Sequence, residues 1–247
     1  MGDSYTWRRP LSDAIIKACG RFTPDQIFEA VVDGALIRLG VNAAEPVGED
    51  LERIAGPLRE QLADTVLHSP PFADILGEAY MALRSNGKAK QLGQWFTPQP
   101  VAMAMNEIMM ADVMAHEPTD QDRLLSMCDP CCGSGVQLLS AAAALHGHAG
   151  PAVLRRWSFT GIDLDNLCAK MTALAMLANC ALHDLPVGEL VVYRGNSLMP
   201  AACWRVIVHA TAPDAPITRV APALHPVRTK AIREAAATMG EQLSLFS

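Results

Sequence analysis

The residues with the clearest potential for chemistry form a glycine-containing turn in the middle of the chain. A short apolar run ends in Asp129 and Pro130, a turn with Gly133 and Gly135 follows, and an alanine-rich stretch begins at Val136. A strand, a glycine turn and a helix N-terminus in this order present backbone amides to a nucleoside ligand. Glycine suits the turn because a side chain would hold the ligand away from the main chain. The carboxylate of Asp129 at the strand end favours a cationic or hydroxylated ligand over a phosphate.

The cysteines of the same turn allow two other kinds of site. Cys128 and Cys131 have the CxxC spacing, and Cys132 follows directly. A CxxC pair between a strand and a helix is compatible with thiol–disulfide chemistry, whereas one pair without further ligands is weak support for zinc. The Gly-Ser-Gly continuation favours a ligand-binding turn over both, and we predict no metal site.

Other polar positions stand where further strands should end. Asp163 ends the apolar run from Ser158, where an acid is placed to bind the ribose hydroxyls of an adenosine, with Leu164 packing on the adenine. Asp165 is predicted to cap the helix that follows. Asn196 follows a third apolar run, and its amide can both donate and accept hydrogen bonds. Thr97 before Pro98 is typical of a helix start.

Taken together, these segments resemble the adenine-specific DNA methylases of the kind found in type I restriction–modification systems. The letters DPCCGSG look like the family's DPxCGSG, and GQWFTPQPV is similar to G-Q-[FY]-[FY]-T-P-x-x-[VI]. GIDLD matches a family segment at the second strand, and GNSL resembles G-[DN]-[ST]-L. The resemblance covers about residues 93–208 and implies methyl transfer from S-adenosylmethionine to the exocyclic amino group of adenine in DNA.

The resemblance also implies which residues form the S-adenosylmethionine site. Thr97 and the neighbouring backbone would hold the methionine end of the cofactor, and Asn196 would contact the adenine amino group. The implied cofactor-binding residues, taken from four successive loops, are Phe96, Thr97, Pro98, Asp129, Pro130, Cys132, Gly133, Ser134, Gly135, Asp163, Leu164, Asn196, Ser197 and Leu198.

The family pattern fails after the fourth predicted strand, Cys203–His209. The family carries Asn-Pro-Pro-Tyr or Asn-Pro-Pro-Phe there, which binds the target amino group and stacks on the flipped base. This chain instead has His209, Ala210, Thr211 and Ala212. We therefore expect cofactor binding, but not methyl transfer by this chain alone, and the catalytic residues are unknown.

Two readings of function follow from this mixture of matching and missing motifs. The chain is an adenine-specific DNA methylase by family, or it is a non-catalytic adaptor or regulator, or a subunit that needs a catalytic or specificity partner. A nicotinamide-dependent dehydrogenase is disfavoured because the turn does not read GxGxxG.

Composition and hydrophobic patterning predict the fold class and the cellular environment of the protein. The chain has 247 residues, half of them hydrophobic, a net charge of −6 and seven cysteines. This predicts an α/β protein in the cytoplasm with reduced thiols, in which DNA contacts a local groove rather than a broad basic surface. No segment is apolar enough to predict a membrane span. We expect a doubly wound, Rossmann-like methyltransferase sheet, truncated, with an N-terminal helical region.

Four segments divide the predicted chain. They are a helical region at 1–92, a methyltransferase-like domain at 93–212, a proline- and alanine-rich segment with a short helix at 213–240, and a tail at 241–247. The tail holds Gln242, Leu243, Ser244, Leu245 and Phe246, and resembles the pentapeptide with which bacterial replication and repair proteins bind the sliding clamp. In such a peptide the leucine and phenylalanine side chains enter an apolar groove. The alternative is that the leucines pack on the protein itself.

Overall fold

The computed structural model of the protein describes residues 10–84, 95–115, 124–213 and 215. The α-helices within these ranges are α1 (Pro10–Ala18), α2 (Pro24–Arg38), α3 (Glu49–His68), α4 (Ile75–Arg84), α5 (Gln99–Ala115), α6 (Val136–Ala149) and α7 (Asn166–Leu182). The strands are β1 (Leu125–Asp129), β2 (Trp157–Asp163), β3 (Glu189–Arg194) and β4 (Arg205–Thr211). Short 3-10 helices at Pro151–Arg156 and Ala201–Cys203 precede β2 and β4.

The N-terminal helices share one hydrophobic core with the helices of the sheet. The start of α2 is a capping box, in which the Thr23 side chain accepts from the Gln26 N–H and the Gln26 side chain accepts from Thr23. Apolar residues of α2 and α3 pack in the same buried cluster as those of α6 and α7. A buried ion pair between Lys170 of α7 and Asp33 of α2, 2.7 Å apart, adds a polar link. The helical region therefore lies directly against the sheet domain.

The sheet has four strands in the order β1-β2-β3-β4. β1, β2 and β3 are parallel, and α6 and α7 form the crossovers between them. The predicted α/β class with N-terminal helices is thus confirmed, but the sheet is mixed. Its strands run outward from β1 in chain order. Among those residues, no strand pairs with the other edge of β1.

The last strand lies at the far edge of the sheet and runs in the opposite direction. β4 pairs with β3 in antiparallel register, with Thr211 opposite Glu189 and Arg205 opposite Arg194. The connection, residues 195–204, contains only a 3-10 turn. A parallel return requires a crossover of a dozen or more residues, whereas an antiparallel return does not. The end of β4 consequently lies beside the beginning of β3.

Several predictions from the sequence fall partly or wholly outside the described residues. The tail Gln242–Phe246 and the proline- and alanine-rich segment from 216 onward belong to this part of the chain. Among the helices that the structure describes, none combines the length and apolar character required to cross a membrane.

Candidate functional site

The glycine turn after β1 folds back onto the end of β2. Cys132 N–H donates to the Ile162 carbonyl at 2.9 Å, and Gly135 N–H donates to the Cys132 carbonyl at 2.7 Å. Gly133 and Gly135 have φ values of +55° and +92°, which a side chain rarely tolerates. A Cβ on Gly135 would also lie 3.2 Å from Thr172 of α7. The turn is therefore compact, and glycine is required at both positions.

Asp163, at the end of β2, binds this turn directly. Its Oδ2 accepts the Gly133 N–H at 2.8 Å, and its Oδ1 accepts the Asp165 N–H at 2.9 Å. Asp165 caps α7 by accepting from the backbone of Leu167 and Cys168, which confirms its predicted structural role. Each Asp163 oxygen retains a further lone pair, since a carboxylate oxygen accepts two hydrogen bonds. Asp163 thus positions the turn and retains capacity for a ligand.

Two carboxylates meet at this end of the sheet. Asp129 ends β1 opposite Gly161, and Asp163 follows two residues later on the neighbouring strand. Burial raises the pKa of Asp129, and the negative charge of Asp163 raises it further, although the Cys131 N–H partly opposes this by donating to Asp129. A cationic ligand would relieve this repulsion, as predicted from the sequence for Asp129.

The Phe96–Pro98 segment reaches the same turn from the other side. The Phe96 ring stacks on Tyr80 with 5.2 Å between ring centroids, and a Cβ on Gly133 would lie 3.2 Å from that ring. The Pro98 carbonyl accepts from Val101 and begins α5, which confirms the predicted helix start. Thr97 lies between them and is half-buried.

The loop after β3 adjoins the loop after β2. Gly195 N–H donates to the Asp163 carbonyl at 2.8 Å. The exposed Asn196 uses its Oδ1 to accept the Leu198 N–H at 2.9 Å, so its amide nitrogen points elsewhere in an Asx turn. Leu164 and Leu198 are 69% and 91% exposed, an unusual state for leucine. Polar groups and exposed apolar side chains are therefore combined at one end of the sheet.

A buried hydrogen-bonded segment before α4 supports the site and was not foreseen from the sequence. Asp74 Oδ2 accepts the Ser134 hydroxyl at 2.7 Å, and its Oδ1 accepts the Gly77 N–H at 2.9 Å. Gln99 accepts the Asp74 N–H at 3.2 Å and donates to the Phe72 carbonyl at 3.2 Å. From the sequence, this region was predicted only to be helical. The local signal that could have indicated this segment was Asp74, which stands immediately before the apolar start of α4.

The residues at the expected catalytic position lie at the opposite end of the sheet. His209 pairs in register with Val191, and its Nε2 lies 2.9 Å from Glu189 Oε1. Ser158 donates to the other Glu189 oxygen at 2.6 Å, near the beginning of β2. Burial alone would raise the pKa of Glu189, but the hydrogen bonds of His209 and Ser158 hold it below its ordinary value. Because the serine binds the glutamate and not the histidine, this group is not a nucleophile–base pair.

Ala210, Thr211 and Ala212 follow His209 away from the glycine turn. Thr211 lies opposite Glu189 in the register, and Ala212 N–H donates to the Gly188 carbonyl at 2.9 Å. The strand was predicted, but its position was not. The sequence prediction placed these residues beside the reacting group, and the antiparallel pairing puts them at the far end of β3.

The cysteines of the turn differ in exposure, since Cys128 and Cys131 are exposed and Cys132 is not. Cys132 is buried, and burial raises its pKa well above the ordinary value. Burial also raises the pKa of Cys128, with a further contribution from Asp129. Redox-active cysteines require a lowered pKa, so the thioredoxin-type alternative is disfavoured. Across the described ranges, no group of three or more His, Cys, Asp or Glu side chains has the arrangement of a metal site.

Comparison with known proteins identifies a family. The model of the N-6 DNA methylase family matches residues 72–208, which is more than half of the chain. The match begins at Phe72. It therefore includes the Phe72 carbonyl, which accepts from Gln99, and the Asp74 carboxylate, which accepts from Ser134. Searches of curated proteins and of solved structures gave no match.

Replacing Asp74 by Asn is expected to make stability less dependent on pH. Burial raises the pKa of Asp74 from 3.8 to about 6, against the hydrogen bonds of Ser134 and Gly77. Between these values the folded protein holds a proton that the unfolded chain has released, so stability falls as pH rises. The fall is about 3 kcal/mol, and Asp74→Asn should remove it. Urea unfolding of both proteins from roughly pH 4 to pH 8 measures the difference. If the free energies of unfolding of the two proteins differed by the same amount at every pH, the raised pKa of Asp74 would be contradicted.

Proposed function

Because the chain belongs to the N-6 DNA methylase family, we propose that it binds S-adenosylmethionine at the carboxyl ends of β1, β2 and β3. The observation that carries the proposal is the bond from Gly133 N–H to Asp163, which joins the two loops expected to hold the cofactor. Phe96 contacts the same glycine, and Gly195 binds the Asp163 carbonyl. Ligands of open α/β sheets bind at this end of the strands.

The residues present fit the chemistry of this cofactor. S-adenosylmethionine has two positive charges, on the sulfonium and the amino group, and supplies an activated methyl group when bound. Asp129 and Asp163 offer negative charge at neighbouring strand ends, which supports the binding of a cationic group there. The exposed Leu164 and Leu198 offer apolar surface for an adenine, and Asn196 offers a polar edge. We assign the ribose hydroxyls to Asp163 and the methionine end to Thr97.

In the first candidate function, the protein transfers a methyl group to adenine in DNA. The family supports this reaction. The chain itself would contribute by holding and orienting the methyl donor, which removes the entropic cost of bringing two reactants together. DNA would bind a local groove, since the net charge is −6.

In the second candidate function, the chain supplies cofactor and a partner subunit supplies the groups that contact the target base. Three observations favour it. His209 and its neighbours lie at the wrong end of the sheet, and no described strand pairs with the outer edge of β1. The nearby helix α5 also exposes apolar side chains, including Met105 at 47% and Ile108 at 76%. Exposed strand edges and apolar patches are characteristic of association surfaces.

Cofactor binding is tested by replacing Asp163. Asp163→Ala should weaken the binding of S-adenosylmethionine by roughly 1–3 kcal/mol, the scale of a lost charged hydrogen bond. Isothermal titration calorimetry measures this change. Glu189→Gln is the matched control, because Glu189 is an acidic residue at the opposite end of the same sheet. If the Asp163 variant and the unaltered protein bound S-adenosylmethionine equally well, the ribose hydroxyls would have to bind a residue other than Asp163.

The two candidates differ in their result with DNA. The purified chain, S-adenosylmethionine labelled in its methyl group, and DNA of mixed sequence should transfer label to adenine if the chain is a complete methylase. The partner hypothesis predicts cofactor binding in calorimetry but no label in adenine. Label that appears when a cell extract is added to the pure chain would then identify a requirement for a second protein.

We further propose that the C-terminal tail binds the bacterial sliding clamp. The support is the five-residue match Gln242–Phe246. Removing residues 242–247 should abolish recovery of the protein with immobilised clamp and leave cofactor affinity unchanged. The variant Leu245→Ala/Phe246→Ala, which keeps the tail length, should behave like the deletion because these side chains enter the groove. Undiminished recovery of both variants would exclude the tail as the binding segment.

A further inference from the structure

The hydrogen bond between Asp74 and Ser134 connects residues 60 positions apart in the chain. Ser134 is the central serine of the Gly-Ser-Gly turn, and Asp74 precedes α4 in the helical region. Both are buried, at 1% and 3% exposure. The turn that should bind the cofactor is therefore hydrogen-bonded on its buried side to the Asp74 carboxylate, which no ligand would touch.

The carboxylate of Asp74 is costly to bury. Within the described residues no Lys, Arg or His forms an ion pair with it, and the charged group that affects it is Glu78, which is also acidic. Its charge is balanced only by hydrogen bonds from Ser134 and Gly77. A buried carboxylate without an ion-pair partner destabilises a fold by several kcal/mol, whereas a neutral Asn or Ser would cap the start of α4 without a buried charge. Stability alone does not account for an aspartate here.

The space for this bond is set by a glycine. A Cβ on Gly77 would lie 2.2 Å from Asp74 Oδ2 and 2.5 Å from Ser134 Oγ. Both distances are far inside van der Waals contact, so any side chain at 77 would push the two oxygens apart. Three residues from two distant parts of the chain thus fit around one hydrogen bond.

The same short segment fixes the second loop of the proposed site. Gln99, which follows Thr97 and Pro98, binds the Phe72 carbonyl and the Asp74 N–H. Phe72 is fully buried with a φ of +63°, a conformation that costs energy for a residue with a side chain. Its N–H donates to Asn179 of α7 at 2.5 Å. Residues 72–74 therefore hold both loops in fixed positions relative to each other.

We infer that Asp74 is a positioning residue for ligand binding: its hydrogen bond to Ser134 holds the glycine turn in its binding conformation and aligns it with the Phe96–Pro98 loop. The inference rests on the proposed binding of S-adenosylmethionine. Asp74 acts through Ser134 and does not touch the ligand.

The test measures the affinity of the full chain for S-adenosylhomocysteine, a stable relative of the cofactor. Ser134→Ala and Asp74→Ala should each weaken binding roughly tenfold, the equivalent of one hydrogen bond to a charged group. The double variant should be no weaker than either single variant, because both changes remove the same bond. Asp74→Asn should restore most of the affinity, since its amide can donate to Ser134 Oγ while its carbonyl accepts from Gly77.

Ser158→Ala is a matched control. Ser158 is also buried and also donates to a buried carboxylate, Glu189, at 2.6 Å, but at the opposite end of the sheet. It should lose thermal stability comparable to Ser134→Ala and keep unaltered affinity. Equal weakening by Ser158→Ala, or unchanged affinity in both Ser134→Ala and Asp74→Ala, would overturn the inference.

A second measurement needs no ligand. Cys132 is buried within the turn, so the rate of its alkylation by iodoacetamide reports turn opening. Ser134→Ala and Asp74→Ala should raise this rate about tenfold and Ser158→Ala should not, since only the first two remove a bond that closes the turn. If the unaltered protein fails to bind S-adenosylhomocysteine, the proposed function fails. Unchanged alkylation in Ser134→Ala and Asp74→Ala would overturn the positioning role itself.

Discussion

The site depends first on the contact between the Gly133 N–H and the Asp163 carboxylate. This 2.8 Å hydrogen bond joins the loop after β1 to the end of β2, and both partners are fixed by other constraints. Gly133 has a left-handed backbone conformation and lies against the Phe96 ring, while Asp163 also accepts from Asp165 at the start of α7. One carboxylate therefore aligns a strand end, a glycine turn and a helix N-terminus. A ligand that entered here would meet a preformed arrangement and would not have to order these loops itself.

The second constraint is the close association of the helical region with this arrangement. Asp74 binds the turn at Ser134, the Phe72 carbonyl accepts from Gln99, and the Lys170–Asp33 pair joins α7 to α2. The two hydrogen bonds are buried and the ion pair is largely so, and in such surroundings hydrogen bonds and ion pairs are strong and their geometry is well defined. The helical region is consequently part of the site's framework, and the family match that begins at Phe72 agrees with this.

The parts of the structure that follow from local chemistry could be predicted from the sequence. The capping box at Thr23, the helix start after Pro98, the cap at Asp165 and the strand–turn–helix order around Gly133 each depend on neighbouring residues. The parts that depend on distant pairing could not. Asp74 meets Ser134 across 60 positions of the chain, and strand periodicity in β4 carries no information about which edge it joins or in which direction.

The position of β4 has a consequence for how the chemistry is divided. A strand that returned to β1 would bring its carboxyl end beside the glycine turn, and its last residues would face a bound methyl group. β4 instead pairs antiparallel with β3, so its carboxyl end lies beside Glu189 and Ser158. Along the outer edge of β1, the structure describes no paired strand. Groups that orient a target base must therefore come from outside β4, either from another part of this chain or from a second protein. Under the proposed function, this arrangement separates holding the methyl donor at the carboxyl ends of β1, β2 and β3 from presenting the acceptor.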